Sequence, residues 1–170
     1  MNYTRNDLLL ADATMNQLRN AIYHLARFMN KNGVDNLKER LREMGKNISK
    51  TYLKYWSPTE TVNLDNVREV IATIYNKILQ SSVSVELNEA ENLVVVHDSS
   101  CPLCKYQYDD IHIAGCEIIL GMISEYINLI NGNSRDKTIL ITEPVRVQES
   151  RALGNNSCVQ IFKYRVGGDL

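Results

Sequence analysis

Cys101-Pro102-Leu103-Cys104, followed by His112-Ile113-Ala114-Gly115-Cys116, is the stretch around which the fold of this 170-residue chain is predicted to form. It contains three of the four cysteines and one of the three histidines. Two thiols three residues apart can point inward from one tight turn, and His112 and Cys116 would share one face of a helix. Thiolates and an imidazole are ligands that tetrahedral zinc prefers. The stretch therefore predicts a zinc site, with plain burial of small hydrophobic cysteines as the alternative.

The composition is typical of one globular domain, which we expect to span residues 1–170. Hydrophobic residues make up 44% of the chain, and 19 basic against 20 acidic side chains leave a net charge of -1. A chain of this length can bury about two thirds of its unfolded surface, so disulfides are not required for folding. The near-neutral charge gives no sign of the basic face that nucleic-acid-binding domains carry.

The first residues carry no targeting signal. The segment Met1-Asn2-Tyr3-Thr4-Arg5 is not a signal peptide, and no apolar run reaches the roughly 18 residues of a membrane span. We therefore expect a cytoplasmic protein. Reducing conditions there would leave the thiols free for metal binding, redox chemistry or burial.

Three amphipathic helices are predicted before any strand. Asp12 or Thr14 can cap the first, Asp35 can start the second, and Asn63 or Asp65 can cap the third. Each helix has a wide apolar face with a period of 3.6 residues, so the faces are expected to meet in one core.

From Ser82 the apolar period changes to two, which predicts a β-hairpin that ends at His97. Asp109 or Asp110 is predicted to cap a fourth, largely apolar helix, and two strands separated by Pro144 and later turns complete the chain. The order α-α-α-β-β-α-β-β indicates an α+β domain, with helices packed on a small four-stranded antiparallel sheet.

Two further stretches carry a resemblance to a known family, namely Gly115-Cys116-Glu117-Ile118-Ile119-Leu120-Gly121 and the segment from Ser150 to Cys158. Together with the element order, they resemble the 4-vinyl reductase domain family, also described as hydrocarbon-binding. The same order is found in the related TRAPP subunits of vesicle transport. The resemblance implies a helical fold with a small antiparallel sheet.

The closing motif of that family runs Cys, any, Ala, any, Gly, Asp, any, any, Cys. Ala152, Gly154 and Cys158 match it, whereas Ser150 and Asn155 depart from it. In the aromatic-sensing relatives a metal is held by cysteines that include those of this motif, with a carboxylate just before it.

The resemblance thus implies zinc bound by Cys158, with Glu149 as a carboxylate candidate. Ser150 stands where a thiolate would be needed, and serine substitutes poorly for one. Other residues would then complete the set, and the full list of predicted metal ligands is Cys101, Cys104, His112, Cys116 and Cys158. His97, at the end of the hairpin, is a further candidate as a ligand or as a partner of one.

The resemblance also implies an apolar pocket between helices for a hydrocarbon, aromatic or lipid-like ligand. Helices packed around Gly45, Gly115 and Gly121 can leave such a cavity. Its predicted lining residues are Met44, Ile48, Ile71, Ile74, Ile118, Ile119, Met122 and Ile123, with Tyr52 or Tyr75 as a polar contact.

Two other functions remain open. Cys101-Pro102-Leu103-Cys104 resembles the redox-active turn of glutaredoxins, although three helices precede it here and two aspartates follow it. The other alternative is a TRAPP-like protein-protein assembly module that docks through Tyr52, Tyr55 and Trp56, and we expect a homodimer. No nucleophile-base pair is evident, so no catalytic residue is predicted.

Overall fold

The computed structural model describes residues 4–132 and 138–167, and within them helices precede, interrupt and cover one sheet. The helices are α1 (Arg5–Lys31), α2 (Leu37–Tyr52), α3 (Val67–Ile74), which continues as a π-helical turn (Tyr75–Leu79), and α4 (Glu117–Asn131). The strands are β1 (Val83–Asn88), β2 (Leu93–Asp98), β3 (Leu140–Glu149) and β4 (Cys158–Val166). Short 3-10 turns cover Pro102–Cys104 and Arg151–Leu153. The predicted α+β class and element order are confirmed.

The four strands form one antiparallel sheet in the order β1-β2-β4-β3. The β1–β2 hairpin runs in register from Val83 opposite Asp98 to Asn88 opposite Leu93, as the alternating pattern predicted. Strand β4 then pairs with β2 so that Cys158 lies opposite Asp98. This register brings the start of β4 beside the end of β2, immediately before the first cysteine turn.

Pro144 was predicted to interrupt the sheet, but β3 continues through it. The ladder between β3 and β4 shifts register between Pro144 and Arg146 and again between Val147 and Glu149. Because β3 lies at the sheet edge, the missing N–H of proline does not break an internal ladder, and the irregularity is absorbed as a bulge.

Helix α4 forms the centre of the core. Ile119, Leu120, Ile123 and Ile127 are fully buried, with α2 packed along one side of the helix and the sheet on another. The helix is tied to the sheet edge by Ser124, whose hydroxyl donates to the Thr142 carbonyl at 2.7 Å.

Glycines allow α2 and α4 to approach backbone to backbone. A Cβ on Gly45 would collide with the Ile118 carbonyl, and one on Gly121 would collide with the Arg42 backbone. At both positions the two backbones are in direct contact. The helices therefore meet without side-chain volume between them at this crossing.

Two predicted helix starts were wrong. Helix α1 already runs from Arg5, and the Thr14 hydroxyl donates to the Leu10 carbonyl at 2.8 Å instead of capping a first turn. Helix α4 begins only at Glu117, with Cys116 as its N-cap, and Asp110 instead forms an ion pair with Arg27. The segment between the cysteine turn and α4 is consequently a loop.

None of the described helices combines the length and the apolar character needed to cross a bilayer.

Candidate metal centre

All four cysteines of the chain converge on one point. Cys101 and Cys104 flank the first 3-10 turn, Cys116 caps α4, and Cys158 is the first residue of β4. Their sulfur atoms lie within 4.8 Å of one another. All four thiols are buried and none is in a disulfide. The fold thus gathers into one cluster residues that are up to 57 positions apart in the chain.

The cluster fits a tetrahedral metal ion. Four thiolates at the usual zinc–sulfur distance of about 2.3 Å place their sulfurs about 3.8 Å apart, so the cluster needs to contract by only about 1 Å. Soft thiolate sets of this geometry select zinc or iron over magnesium or calcium. The four cysteines could therefore hold a metal with protein ligands in every position.

Local structure explains why the first two thiols point the same way. Pro102 occupies the first position of the 3-10 turn, and the Cys104 amide donates to the Cys101 carbonyl at 3.2 Å. Proline suits this position because it needs no amide partner there. The tight turn projects both side chains to one side, as the spacing predicted.

Three donors surround the cluster. The Ser150 hydroxyl lies 3.4 Å from the Cys104 sulfur, and the Tyr23 hydroxyl lies 3.6 Å from the same atom. The Arg151 amide donates to the Cys158 sulfur at 3.5 Å. Because the Gly115 amide donates to the Tyr23 oxygen at 3.1 Å, the phenol proton is free to point at Cys104.

The thiols do not share negative charge equally. Hydrogen bonds from Cys101, then Cys116 and Cys158, hold the pKa of Cys104 well below its ordinary value. Donating to Cys104 raises the pKa of Cys101, whereas burial raises the pKa of Tyr23 and keeps the phenol protonated. The thiolate form of Cys104 is therefore favoured by its hydrogen bonds, and both hydroxyl groups lie beside this sulfur.

Of the predicted metal ligands, His112 lies elsewhere. It is exposed, outside the four-thiol cluster, and lines a shallow concavity that also includes Arg27 and Asp110. The prediction that His112 and Cys116 share a helix face was wrong, because α4 begins at Glu117 and His112 lies in the preceding loop. A spacing of four residues brings two side chains together only within a helix, and this segment is not helical.

The other non-cysteine candidates also lie outside the cluster. The Glu149 carboxylate accepts a hydrogen bond from the Ser157 hydroxyl at 3.2 Å, and the His97 imidazole faces the Glu86 carboxylate at 4.0 Å. Ser150, in contrast, lies among the thiols, within 4.0 Å of the Cys116 and Cys158 sulfurs. Its departure from the family motif therefore falls inside the site, where it supplies a hydroxyl instead of a fifth thiol.

The segment between β2 and α4, residues 99–116, is called the cysteine loop. Helix α1 is attached to it by polar contacts that the sequence interpretation missed. Arg27 makes two hydrogen bonds to Asp110, at 2.6 and 3.0 Å, and the rings of Tyr23 and Tyr108 lie 4.4 Å apart. Arg19 donates to the Pro102 carbonyl at 2.6 Å. A signal was present, because Arg19 and Tyr23 lie four residues apart on the buried face of an amphipathic helix, where polar residues need partners.

Most of the ten residues predicted to line an apolar pocket lie in the hydrophobic core. Seven are buried in the core, Ile48 is half-buried, and Met44 and Tyr52 are exposed at 37% and 42%. The Tyr75 hydroxyl donates to the Gln160 side chain at 2.5 Å. Four concave regions of the described surface are lined by other residues. The enclosed pocket stays a prediction, which the close α2–α4 crossing does not favour. The buried members are Ile71, Ile74, Tyr75, Ile118, Ile119, Met122 and Ile123.

No protein-family model matches the chain, and no curated protein matches it in sequence. Among solved structures, the fold is similar to that of a trafficking protein particle complex subunit 3 from Naegleria fowleri covalently bound to palmitic acid, with a TM-score of 0.67. That match covers 91% of this chain and 97% of the other at 14% sequence identity, so it establishes a common fold. The predicted fold relation to TRAPP subunits is confirmed, whereas the resemblance to 4-vinyl reductase domains stays a prediction.

Proposed function

We propose that residues 1–170 form a single non-catalytic assembly module with a TRAPP-like fold, which associates through α1 and is stabilised by a structural zinc ion. The observation that carries the assembly function is a stripe of exposed apolar side chains along α1. The fold neighbour is named as a subunit of a complex, which supports the same function.

The α1 stripe consists of Leu10, Leu18, Leu25 and Phe28, exposed at 69%, 46%, 40% and 65%. Spacings of eight, seven and three residues place these side chains on one side of the helix, away from the buried Tyr23. Large apolar side chains that form a contiguous exposed patch mark an association surface more often than scattered exposed ones do.

The partner that fits this stripe best is a second copy of the chain. The second half of α1 carries Arg27 and Lys31 and no acidic residue, whereas Asp12 lies in the first half. Antiparallel packing of two α1 helices would bury the apolar stripe and bring the basic half of each helix beside the first half of the other.

Light scattering of the eluting protein tests the homodimer. The Leu25→Glu, Phe28→Glu double variant should elute as a monomer with unchanged circular dichroism, because four buried carboxylates per dimer would lack partners. Asn47→Glu, on the exposed face of α2, is the control and should remain dimeric. A wild-type protein that is monomeric at the highest attainable concentration would overturn the homodimer.

The metal part of the proposal is one zinc ion held by Cys101, Cys104, Cys116 and Cys158. Four protein ligands leave no open position, so the ion would contribute folding free energy and not catalysis. Four free thiols fit a reducing compartment, which favours the cytoplasm. Elemental analysis should find about one zinc per chain, and Cys104→Ser should lose it. Metal well below that ratio after chelator-free purification would contradict the site.

Binding of an apolar ligand is a second candidate function, favoured by the palmitic acid on the fold neighbour. Every cysteine of this chain is buried in the cluster, so we propose non-covalent binding and no thioester. Native mass spectrometry of freshly purified protein, followed by solvent extraction, tests it; a mass equal to the chain plus metal alone contradicts it. Burial of both thiols of the Cys101–Cys104 turn gives no support to a redox function, which requires an accessible thiolate.

A further inference from the structure

A groove separates α1 from the cysteine turn, on the side away from Asp110. Its walls come from α1, from the end of the π-helical turn and from residues 100–105, and its volume is about 260 Å³. Part of its lining is apolar and is formed by Met15, Ile78, Leu79 and Pro102. This groove shares no residue with the pocket predicted from the sequence.

Arg19 is the unusual member of this lining. Only 1% of its surface is exposed, and one guanidinium nitrogen donates to the Pro102 carbonyl while another contacts the Asn16 side chain. Its Nε has no hydrogen-bond partner, and no carboxylate in the described residues pairs with it. The Tyr106 ring centroid lies 5.0 Å from the guanidinium carbon, and a buried cation normally has a counter-ion as well, because removing its charge from water is unfavourable.

A second cation lies at the groove rim. Lys105 lines the groove, and its ammonium group lies 3.6 Å from the Asp12 carboxylate with about half of the lysine side chain exposed. Asp12 offsets one of the two positive charges, so the groove keeps an excess of one positive charge at the buried end.

The backbone at the opposite wall is also irregular. The π-helical turn ends at Gln80, which adopts the left-handed conformation at φ 53°. Single π-helical turns occur frequently at functional sites, and the left-handed region is unfavourable for a non-glycine residue. The end of the π-helical turn and Gln80 form the segment 78–80, which lines the groove together with Arg19.

We propose that this groove binds a small organic anion that has an apolar body. A carboxylate or phosphate head would face Lys105, and the solvent-inaccessible Arg19 side chain would turn so that its Nε donates to the head group. The apolar body would contact Met15, Ile78 and Leu79. At about 30 Å³ per water, the groove holds the volume of about nine waters, which suits a ligand of roughly ten non-hydrogen atoms. The proposal does not need the homodimer, and the titrations use the metal-loaded protein because the groove walls include the cysteine turn.

Amide NMR titrations of the intact protein with hexanoate, hexyl phosphate and hexanol at constant ionic strength test it. Both anions should produce saturable shifts confined to Met15, Arg19, residues 78–80 and residues 100–105, and hexanol should not. The anion that binds with the higher affinity identifies the preferred head group. Lys105→Gln, at the rim, should weaken the tighter anion several-fold, and Arg19→Gln should weaken it by about tenfold or more through loss of a charged hydrogen bond.

Arg40→Gln removes an exposed guanidinium from α2 and is the matched control, so its affinity should equal that of the wild type. Should Arg19→Gln fail to fold, Lys105→Gln and the comparison with hexanol still decide. The proposal is overturned if neither anion gives saturable shifts, if hexanol binds as tightly as the anions, or if folded variants at both positions keep wild-type affinity.

Discussion

Two hydroxyl groups converge on a single sulfur atom at the metal centre. Tyr23 and Ser150 both reach Cys104, whose pKa the hydrogen bonds from the neighbouring thiols hold below its ordinary value. Four thiolates around Zn²⁺ carry a net charge of about -2 in a buried site, and hydrogen bonds to sulfur spread that charge onto the protein. If the cluster holds the proposed zinc ion, Tyr23 and Ser150 would help to retain it.

The first prediction concerns Tyr23→Phe, which removes the phenol proton and keeps the ring contact with Tyr108. Zinc transfer to a chromogenic chelator should be about tenfold faster than in the wild type, because partners of metal ligands typically influence affinity to this extent. Tyr55→Phe makes the same chemical change at a side chain that is 84% exposed, and it should leave the rate unchanged. Equal rates for Tyr23→Phe and wild type would exclude a role of the phenol in metal retention.

A second variant separates the two hydroxyls. Ser150→Ala should also accelerate zinc transfer, and the double variant with Tyr23→Phe should be faster than either single variant, because both groups donate to one sulfur atom. The measurement is the same transfer assay. A double variant that releases zinc no faster than Tyr23→Phe would show that Ser150 does not stabilise the thiolate.

For individual residues, the sequence predicted that the cysteines come together but not which side chains donate hydrogen bonds to them. The turn spacing was sufficient for Cys101 and Cys104, because a tight turn fixes both side chains. His112 was included on the assumption of a helix that begins later in the structure. Tyr23 comes from a helix 78 residues before Cys101, and such contacts depend on tertiary packing that no local pattern encodes.

Among the elements, the crossing of α2 and α4 is the tightest contact. Gly45 of α2 lies directly on the backbone of α4 at Ile118 and Met122. Arg42, one turn earlier, forms a 2.7 Å ion pair with Glu117 at the start of α4 and donates to the Val145 carbonyl at 3.1 Å. The glycine sets the distance between the helices, and the arginine sets their register against the sheet edge.

The third prediction is that Gly45→Ala destabilises the protein. Alanine would favour an isolated helix by about 1 kcal/mol, but the added methyl group must displace backbone atoms of α4, and overpacking of a core costs about 1–3 kcal/mol. The packing cost should dominate, since backbone cannot yield as a flexible side chain can. Urea unfolding in excess zinc measures the change, with Asn47→Ala on the exposed face of α2 expected to lie within about 0.5 kcal/mol of wild type. Unchanged or increased stability of Gly45→Ala would mean that the helices can separate to admit side-chain volume, which would favour the predicted apolar pocket.

Element type and order followed from the sequence, whereas several boundaries did not. The change of period at Ser82 marks the hairpin, because a strand alternates with period two and a helix does not. Thr14 and Asp110 are cap-forming residue types that serve other purposes here, one inside α1 and one in the ion pair with Arg27. A capping signal is local, and it is overridden when a tertiary partner claims the same side chain.

In the whole molecule, the cysteine loop connects two parts of the core. It follows the hairpin, precedes α4, and forms the main surface on which α1 rests through Arg19, Tyr23 and Arg27. Arg27 lowers the pKa of Asp110, so this exposed ion pair persists at neutral pH. A metal ion that holds the cysteine loop in place would therefore also stabilise the packing of α1 against this loop.

The last prediction follows from that arrangement: removal of zinc should loosen α1 before the rest of the protein. The melting temperature should fall by about 10 °C or more, because several kcal/mol of metal-binding free energy are lost and each accounts for about 2–4 °C at this size. Hydrogen exchange should accelerate first in residues 12–31, while amides near Ile127, in the last turns of α4, stay protected. Chelation should also be easier at lower pH, since thiolates that take up protons cannot hold the metal. Readdition of zinc is the control and should restore protection in α1. Uniform exchange throughout the chain would instead show that the ion supports the whole core equally, and unchanged exchange would show that the thiols need no metal to hold the loop.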